Sequence, residues 1–206
     1  MIRAKHHNVL YPFFKWLTRF LLKRNFHALQ IEGAFHDNGR SVLVVANHIS
    51  WWDGFWMEYL NQKIIHRRFH FMMLEEQLKK HWYFQYTGGF SVNRNSREIV
   101  ESIDYAVDLL NKDDNLVLMF PQGRIHSAHD HAIQFEQGIQ HIVKKCADDT
   151  QVVFVASFTD YFSNAKPGVF IYTETWSAAS LKERNLKEEY QLFFSSALSH
   201  HHTKVS

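Results

Sequence analysis

Runs of apolar residues separated by short polar stretches predict the strands of this chain. Residues 42–46 contain three valines and no polar side chain, which is typical of a strand buried in a parallel or mixed sheet. Residues 116–124 and 152–158 begin with similar apolar runs. Four other segments have the composition or the alternation that favours strands, and these are residues 27–33, 67–74, 90–94 and 168–176.

Apolar residues at helical spacing predict helices between these strands. Residues 99, 103, 106, 107 and 110 define one helix, which is expected to begin near Ser96. Ser50 is placed to cap another helix that carries several aromatic residues. Further helices are predicted at residues 10–26, 75–88, 136–149 and 186–200. Together these elements predict an α/β fold, with a mostly parallel twisted sheet flanked by helices in a single domain.

The N-terminal helix predicted at residues 10–26 is amphipathic. Lys15, Arg19 and Lys23 recur every four residues, and aromatic and aliphatic side chains cover the rest of the helix. This pattern predicts a helix in a membrane interface, with its basic side chains reaching anionic headgroups. The alternative is a helix packed on the body of the protein, with its lysines in solvent. The breadth of the apolar face favours the membrane.

Length and composition add to this picture. The 206 residues suit one domain, which we place at residues 27–206 after the membrane-interface helix of residues 1–26. With 18 Phe and 6 Trp, aromatic side chains are expected to line an acyl groove or a membrane-facing surface as well as a core.

The expected location is the cytoplasmic face of a membrane, as a peripheral protein. The single cysteine, Cys146, excludes an intramolecular disulfide and is compatible with a reducing compartment. We find neither a secretory signal nor an apolar stretch long enough to span a bilayer. Nucleic acid is not an expected partner, because the basic residues accompany a broad apolar face and no recognition motif is present.

Two candidate catalytic residues follow the strand at residues 42–46. That strand ends at Asn47 and His48, and in α/β sheets chemistry collects where strands end. Asp53 lies five residues after His48 and, on a strand–loop–helix corner, can fold back onto its ring. A carboxylate on one imidazole nitrogen raises the basicity of the other, as a general base requires. The alternative is that both residues are structural. His48 would then cap the end of the strand, and Asp53 would be an acid in the first helical turn that the helix dipole favours.

The N-H-x-x-x-x-D arrangement of residues 47–53 resembles the first signature of the glycerophospholipid acyltransferases. Three further blocks occur in that family's order: GGFSVNR at residues 88–94, LMFPQGRIHS at residues 118–127 and VVFVASF at residues 152–158. Phe135 and Gly138 also resemble the F-x-x-G that follows the third block. The likeness covers residues 31–158, and the ordered set is more specific than any one block.

The resemblance implies a role for each matching residue. His48 and Asp53 would be catalytic, and Arg94 would grip an acceptor phosphate, although a surface salt bridge with Glu98 is an alternative for Arg94. The glycine of the third block would let a backbone amide face a developing oxyanion. The residues expected to bind substrate, besides Arg94, are Asn47, Pro121, Gln122, Gly123 and Arg124.

The third block departs from the family's F-P-E-G-T-R-S. Gln122 stands where glutamate is usual, Arg124 replaces threonine, and Ile125 stands where a second arginine is expected. Gln122 keeps the capacity to hydrogen-bond but loses the charge, and Arg124 restores a cation one residue early. These departures bear on the identity of the acceptor more than on acyl transfer, because His48 and Asp53 are intact.

Taken together, the sequence predicts an acyltransferase. His48 would deprotonate the acceptor hydroxyl, and the acyl group would come from acyl-CoA or acyl carrier protein, with a lysophospholipid-type lipid as acceptor and no cofactor. Three alternatives remain: a non-phosphate acceptor such as a hydroxylated amino-acid lipid, glycolipid or carotenoid glycoside; a non-catalytic lipid-binding protein; and a metal hydrolase. The last rests on the histidines and aspartate of residues 126–131, which we expect to be solvated without a metal. The chain has no G-x-S-x-G elbow or Cys–His signature of a hydrolase.

Overall fold

Seven strands form one sheet in the part of the chain that the computed structural model describes, residues 1–93 and 98–204. In chain order they are β1 (Ala28–Glu32), β2 (Val42–Ala46), β3 (Arg68–Leu74), β4 (Gly89–Val92), β5 (Asn115–Met119), β6 (Gln151–Asp160) and β7 (Gly168–Ser177). Across the sheet they follow the order β1-β7-β6-β2-β5-β3-β4. Every predicted strand is present, and the prediction of a single α/β domain with a mostly parallel sheet is confirmed.

One pair of neighbouring strands breaks the parallel arrangement. β6 and β7 are antiparallel, with Gln151 opposite Ser177 and Asp160 opposite Gly168. β1 is parallel to β7, whereas β2, β3, β4, β5 and β6 are parallel to one another. The turn at residues 161–167 therefore lies at the edge where β2, β5 and β6 end, which we call the carboxyl edge.

Helices cover both faces of the sheet. They are α1 (Leu10–Asn25), α2 (Asp53–Leu60), α3 (Glu75–Lys80), α4 (Glu98–Leu110), α5 (Gly138–Lys145), α6 (Ala178–Leu181) and α7 (Leu186–His201). A π-helix, Asn61–Ile65, continues α2, and a 3₁₀-helix, Trp82–Tyr86, follows α3. Within the described ranges, no helix is both long and apolar enough to cross a membrane.

Two predicted helix boundaries need correction. The single helix predicted at residues 75–88 is divided, because α3 ends at Lys80 and the 3₁₀-helix turns Tyr83 onto the Phe14 ring of α1, with 5.8 Å between ring centroids. Ser50 does not cap α2: its hydroxyl accepts a hydrogen bond from the Trp52 N–H within the preceding turn. The predicted start of α4 at Ser96 lies outside the described residues.

The sheet separates two apolar cores, which explains the uninterrupted apolar run of β2. Leu43 and Val45 belong to the core that includes α4, α5 and α7, whereas Val44 belongs to the core that includes α1 and α2. All five residues of β2 are buried. A strand that is covered on both faces has no side for polar residues.

α1 packs against the body of the protein along one side and exposes aromatic residues on the other. Leu22 and Phe26 are buried in the second core, and the Phe26 ring lies 5.2 Å from that of Trp52. The outer side exposes about half of each of three aromatic side chains, Phe13, Trp16 and Phe20. The division of the chain at residue 26 stays a prediction.

The basic residues of α1 differ in their contacts with the rest of the protein, and the membrane-interface role of the helix stays a prediction. The Lys15 ammonium lies 4.6 Å from the centroid of the Tyr11 ring. The Arg19 Nε donates a hydrogen bond to the Gln62 side chain at 2.5 Å. Lys15 is half-buried, whereas Arg19 and Lys23 are exposed.

Candidate active site

The loop after β2 brings His48 and Asp53 into direct contact. The backbone leaves the sheet at Ala46 and enters α2 at Asp53, so Asp53 lies in the first helical turn. The His48 Nδ1 lies 2.7 Å from Oδ2 of Asp53. The predicted fold-back of Asp53 onto the His48 ring is therefore present in the structure.

The Asp53 carboxylate is held by hydrogen bonds from the loop between β2 and α2. Its Oδ2 also accepts hydrogen bonds from the N–H groups of Ile49, at 2.7 Å, and Ser50, at 2.9 Å. Burial raises the pKa of Asp53, and the hydrogen bonds from His48, Ser50 and Ile49 oppose that shift. With backbone donors fixed on Oδ2, the carboxylate acts as acceptor, so Nδ1 carries the proton and Nε2 presents its lone pair to a substrate.

Two residues of the third sequence block position His48. The Phe120 ring stacks on the imidazole, with 4.1 Å between centroids and 11° between planes. The Gln122 side-chain oxygen accepts the His48 N–H at 2.6 Å, and Gln122 is almost completely buried. Gln122 therefore positions the backbone of His48, and its contact with substrate stays a prediction.

Asn47, which was also predicted to bind substrate, hydrogen-bonds to the backbone of Ser157. Its side-chain Nδ2 donates to the Ser157 carbonyl at 3.0 Å, and its Oδ1 accepts the Ser157 N–H at 2.7 Å. Asn47 is 1% exposed, so both ends of its amide are used inside the protein. These two hydrogen bonds join the end of β2 to the neighbouring strand β6. They fix the position of the backbone just before His48.

The remaining residues of the third block differ in what they offer to a substrate. Pro121 is buried, and its carbonyl accepts the Glu136 N–H. The Gly123 N–H donates to the Phe120 carbonyl at 3.0 Å, and an oxyanion contact by a backbone amide near Gly123 or by a nearby donor stays a prediction. Gly123 has a φ of +64°, which suits a glycine in this tight turn. Arg124 is exposed beside His48 at the cavity described below, as expected of a substrate-binding cation.

Two other predictions concern residues near this site. Arg94, predicted to contact an acceptor phosphate, lies outside the described residues. In the histidine-rich segment at residues 126–131, His126 lies 3.5 Å from Asp130. The described residues contain no group of three or more histidine, cysteine or carboxylate side chains placed to hold a metal ion.

A cavity of about 860 Å³ opens beside His48 at the carboxyl edge. On one side it is bounded by α1 and α2, through Tyr11, Thr18 and Glu58. On the other side it reaches α4 and α5, through Ile103 and Ile139. Most of the remaining lining is aromatic or aliphatic, so the cavity suits an alkyl chain whose reactive end lies at His48.

Glu58 is a polar exception within this lining. It is 7% exposed, and its two oxygens accept hydrogen bonds from the side chains of Asn61, at 3.4 Å, and Gln62, at 3.0 Å. Burial raises its pKa to about 7, although the nearby Lys15 charge acts in the opposite direction. At neutral pH this carboxyl is therefore protonated in a substantial fraction of molecules.

Sequence reasoning missed three of these features. Phe120 was predicted only as part of a strand, and nothing in its position indicates a stack on His48. Glu58 lies at helical spacing from Gly54 and Trp51, which also line the cavity, so that spacing was an available signal. Thr18 of α1 lines the cavity only because of tertiary packing, so no local sequence signal could have identified it.

Comparison with known proteins agrees with the geometry. Residues 23–158 match the sequence profile described as Acyltransferase, and this range includes His48, Asp53 and Gln122. Over 88 residues the chain is 30% identical to the 1-acyl-sn-glycerol-3-phosphate acyltransferase of Streptococcus pneumoniae (strain ATCC BAA-255 / R6). That match covers 41% of this chain and 32% of the relative. Because the profile match extends over more than half of its residues, the chain belongs to the acyltransferase family.

Proposed function

We propose that the protein transfers a fatty acyl group from a thioester donor to a hydroxyl of a lysophospholipid-type acceptor, with His48 as general base. The observation that carries this proposal is the His48–Asp53 pair, 2.7 Å apart, at a cavity lined mostly by apolar side chains. The family of the protein and the activity in the name of its Streptococcus pneumoniae relative support the same type of reaction.

The reaction needs one base and no covalent enzyme intermediate. The His48 Nε2 takes the proton of the acceptor hydroxyl as the hydroxyl oxygen attacks the thioester carbonyl carbon. When the tetrahedral intermediate collapses, the C–S bond breaks and the leaving sulfur takes the proton from the imidazolium. Asp53 keeps Nδ1 protonated and stabilises the imidazolium while it exists. The products are an ester and a free thiol.

Arg124 is the cation that we assign to an acceptor phosphate. It lines the same cavity as His48, and its Nε lies 3.4 Å from the His126 ring nitrogen Nε2. None of the ion pairs within the described ranges involves Arg124. A guanidinium without a carboxylate partner is suited to bidentate contact with phosphate.

We also propose that the carboxyl edge docks on a membrane surface, at its cytoplasmic face. The outer side of α1 exposes Phe13, Trp16 and Phe20, and the β6–β7 turn exposes Tyr161 and Phe162. The Lys166 side chain in that turn donates to the Arg24 carbonyl, which joins the turn to the C-terminal end of α1. Exposed aromatic clusters of this kind favour the interface between headgroups and acyl chains.

An acceptor without a phosphate is the second candidate. Ile125 is 51% exposed at the cavity, where the resemblance leads us to expect an arginine. One phosphate contact of the family is therefore lost, which favours a hydroxylated amino-acid lipid, a glycolipid or a carotenoid glycoside. Arg124 favours an acceptor with a phosphate, and we keep the phosphate-bearing acceptor as the main proposal.

The test is acyl transfer by the purified protein from labelled acyl-CoA and acyl carrier protein to a panel of acceptors. The panel contains lysophosphatidate, other lysolipids and hydroxylated lipids without phosphate, each assayed with wild type and His48→Ala. Transfer to lysophosphatidate that is lost in His48→Ala supports the main proposal. Transfer only to lipids without phosphate supports the second candidate. No transfer to any acceptor, with membrane binding retained in both proteins, would show a non-catalytic lipid-binding protein, whereas equal rates of transfer in both proteins would remove His48 from the mechanism.

A further inference from the structure

A second, smaller cleft of about 420 Å³ lies between α1 and the start of β3. Lys15 and Arg19 line it from α1, and His66, Arg67 and Arg68 line it from the segment that joins the π-helix to β3. None of its described lining residues is a carboxylate. The cleft therefore brings positive charges together, and their mutual repulsion disfavours the cleft without a bound anion.

One buried carboxyl, that of Glu58, lies near Lys15 and Arg19 and offsets part of this repulsion. Arg67 pairs with Asp37, but no ion pair among the described residues involves Lys15, Arg19 or Arg68. The Arg68 Nε donates instead to a ring nitrogen of His6, at 3.0 Å. Burial lowers the pKa of His6 to about 4, so this partner is neutral at physiological pH. An anion in the cleft would meet the charges of Lys15, Arg19 and Arg68.

The cleft adjoins the large cavity. Tyr11 and Lys15 line both, so the two spaces meet at these side chains. Asp53, which contacts His48, begins α2, and Gln62, which lines the cleft, lies nine residues further along the continuous helix. At 1.5 Å per residue this places the cleft roughly 13 Å along the helix axis from the catalytic pair.

The two sides of the large cavity differ in polarity. The α4 and α5 side presents Ile99, Ile103 and Ile139, which offer an alkyl chain only apolar contacts. The α1 and α2 side presents the hydroxyls of Tyr11 and Thr18 and the carboxyl of Glu58. A segment that carries amide groups can hydrogen-bond on the α1 and α2 side, whereas a hydrocarbon cannot.

We propose that the basic cleft binds the phosphates of coenzyme A, so that acyl-CoA is the donor. This inference rests on the proposed acyl transfer. The thioester lies at His48, the acyl chain extends toward α4 and α5, and the amide-bearing pantetheine arm passes between α1 and α2 to the cleft. A concave site of this volume suits a compact phosphate-bearing group better than the convex acidic surface of a carrier protein.

The first test compares donors that carry or lack phosphates. The double variant Arg19→Gln/Arg68→Gln is assayed with acyl-CoA and with the same acyl group on N-acetylcysteamine. We expect the KM for acyl-CoA to rise by about tenfold or more with kcat unchanged, since one charge-assisted contact is worth about that factor. The KM for the N-acetylcysteamine thioester should not change. Arg184→Gln, an exposed arginine that pairs with Glu189 elsewhere, is the matched control and should leave both constants unchanged.

The second test does not depend on activity. Calorimetric titration of wild type with free CoA and with pantetheine should show that CoA binds more tightly, and that the double variant loses this advantage while keeping its affinity for pantetheine. If CoA binds in this way but no acyl transfer occurs with any donor, the proposed function fails and the cleft assignment stands. Equal affinities of wild type for CoA and pantetheine overturn the cleft assignment. In the double variant, a rise in the KM for acyl carrier protein thioester without a rise for acyl-CoA overturns the cleft assignment as well. So does weaker binding to anionic vesicles with an unchanged KM for acyl-CoA.

Discussion

The side chain of Gln122 holds the backbone of His48: its Oε1 accepts the His48 N–H at 2.6 Å, from a residue that is almost completely buried. This bond joins the loop after β5 to the loop after β2, next to the stack of Phe120 on the imidazole. The replacement of the family's glutamate by glutamine therefore leaves an acceptor at this position and removes only a buried charge.

Gln122→Glu should keep activity, whereas Gln122→Leu should lose most of it. Glutamate can accept the same hydrogen bond, so we expect kcat within a few-fold of wild type. Leucine leaves the His48 N–H without its partner, at about 1–3 kcal/mol, and we expect kcat to fall by about 10- to 100-fold with little change in KM. Steady-state kinetics on both variants decide this. Equal losses in the two variants would contradict a positioning role for the acceptor oxygen.

Asp53→Asn should lower kcat strongly while the fold persists. An asparagine amide that donates to Nδ1 favours the tautomer with the proton on Nε2, and the imidazole can then no longer accept the acceptor's proton. We expect a loss of about 10³- to 10⁴-fold in kcat. Circular dichroism checks folding, and one-dimensional NMR of the imidazole N–H protons reports the tautomer. A variant that remains folded and retains near-normal kcat would remove Asp53 from the mechanism.

Asn47→Ala should destabilise the protein rather than only slow it. The substitution removes two hydrogen bonds to the buried backbone of Ser157 and leaves both backbone groups unsatisfied. We expect a loss of about 2–4 kcal/mol in the free energy of unfolding, measured by urea denaturation. Asn38→Ala is the matched control, because Asn38 also donates to a backbone carbonyl but is exposed. That control should lose less than about 1 kcal/mol.

Membrane binding should depend on the outer side of α1. Trp16→Ser/Phe20→Ser removes two stacked, exposed aromatic rings and should weaken binding to anionic vesicles by at least about tenfold, since each ring buries a large apolar area. Leu192→Ser on α7 is the control, because Leu192 is 69% exposed on a different helix. Sedimentation with vesicles measures both. Equal weakening by the two variants would argue against docking through α1.

Glu58 should make stability fall as pH rises. Its folded pKa of about 7 exceeds the ordinary value of 4.5, so its favourable contribution is complete below pH 4.5 and is lost as pH rises through 7. Relative to wild type, Glu58→Gln should therefore gain stability between pH 5 and pH 8, by up to about 3 kcal/mol. The difference between variant and wild type is the quantity to measure. His6 and His70, whose pKa values burial lowers, act in the opposite direction and cancel in that difference.

The fold was accessible from the sequence because local patterns carry it. The apolar run of β2 and the helical spacing of α4 each identify an element without knowledge of its neighbours. The helix predicted at residues 75–88 failed for a tertiary reason, since the chain bends at His81 to place aromatic rings on Phe14. No local sequence pattern in that segment predicts a contact with α1.

The candidate site was only partly accessible. His48 and Asp53 follow from a short loop whose geometry the spacing already restricts. The hydrogen bonds that Asn47 and Gln122 make were not predicted, because the position of a residue in a motif does not show which backbone groups it contacts. Their partners, Ser157 and His48, lie 110 and 74 positions away in the chain, and only the folded arrangement reveals those contacts.

The reversal of chain direction between β6 and β7 also bears on how substrate would arrive. It puts the aromatic turn at residues 161–167 on the same edge as His48, so the surface that would meet the bilayer is also the mouth of the reaction site. A lipid acceptor would then diffuse in two dimensions to the enzyme without leaving its leaflet. Reaction velocity should follow the mole fraction of acceptor in the membrane rather than its concentration in bulk water, and diluting the acceptor with inert lipid at fixed total acceptor should slow the enzyme.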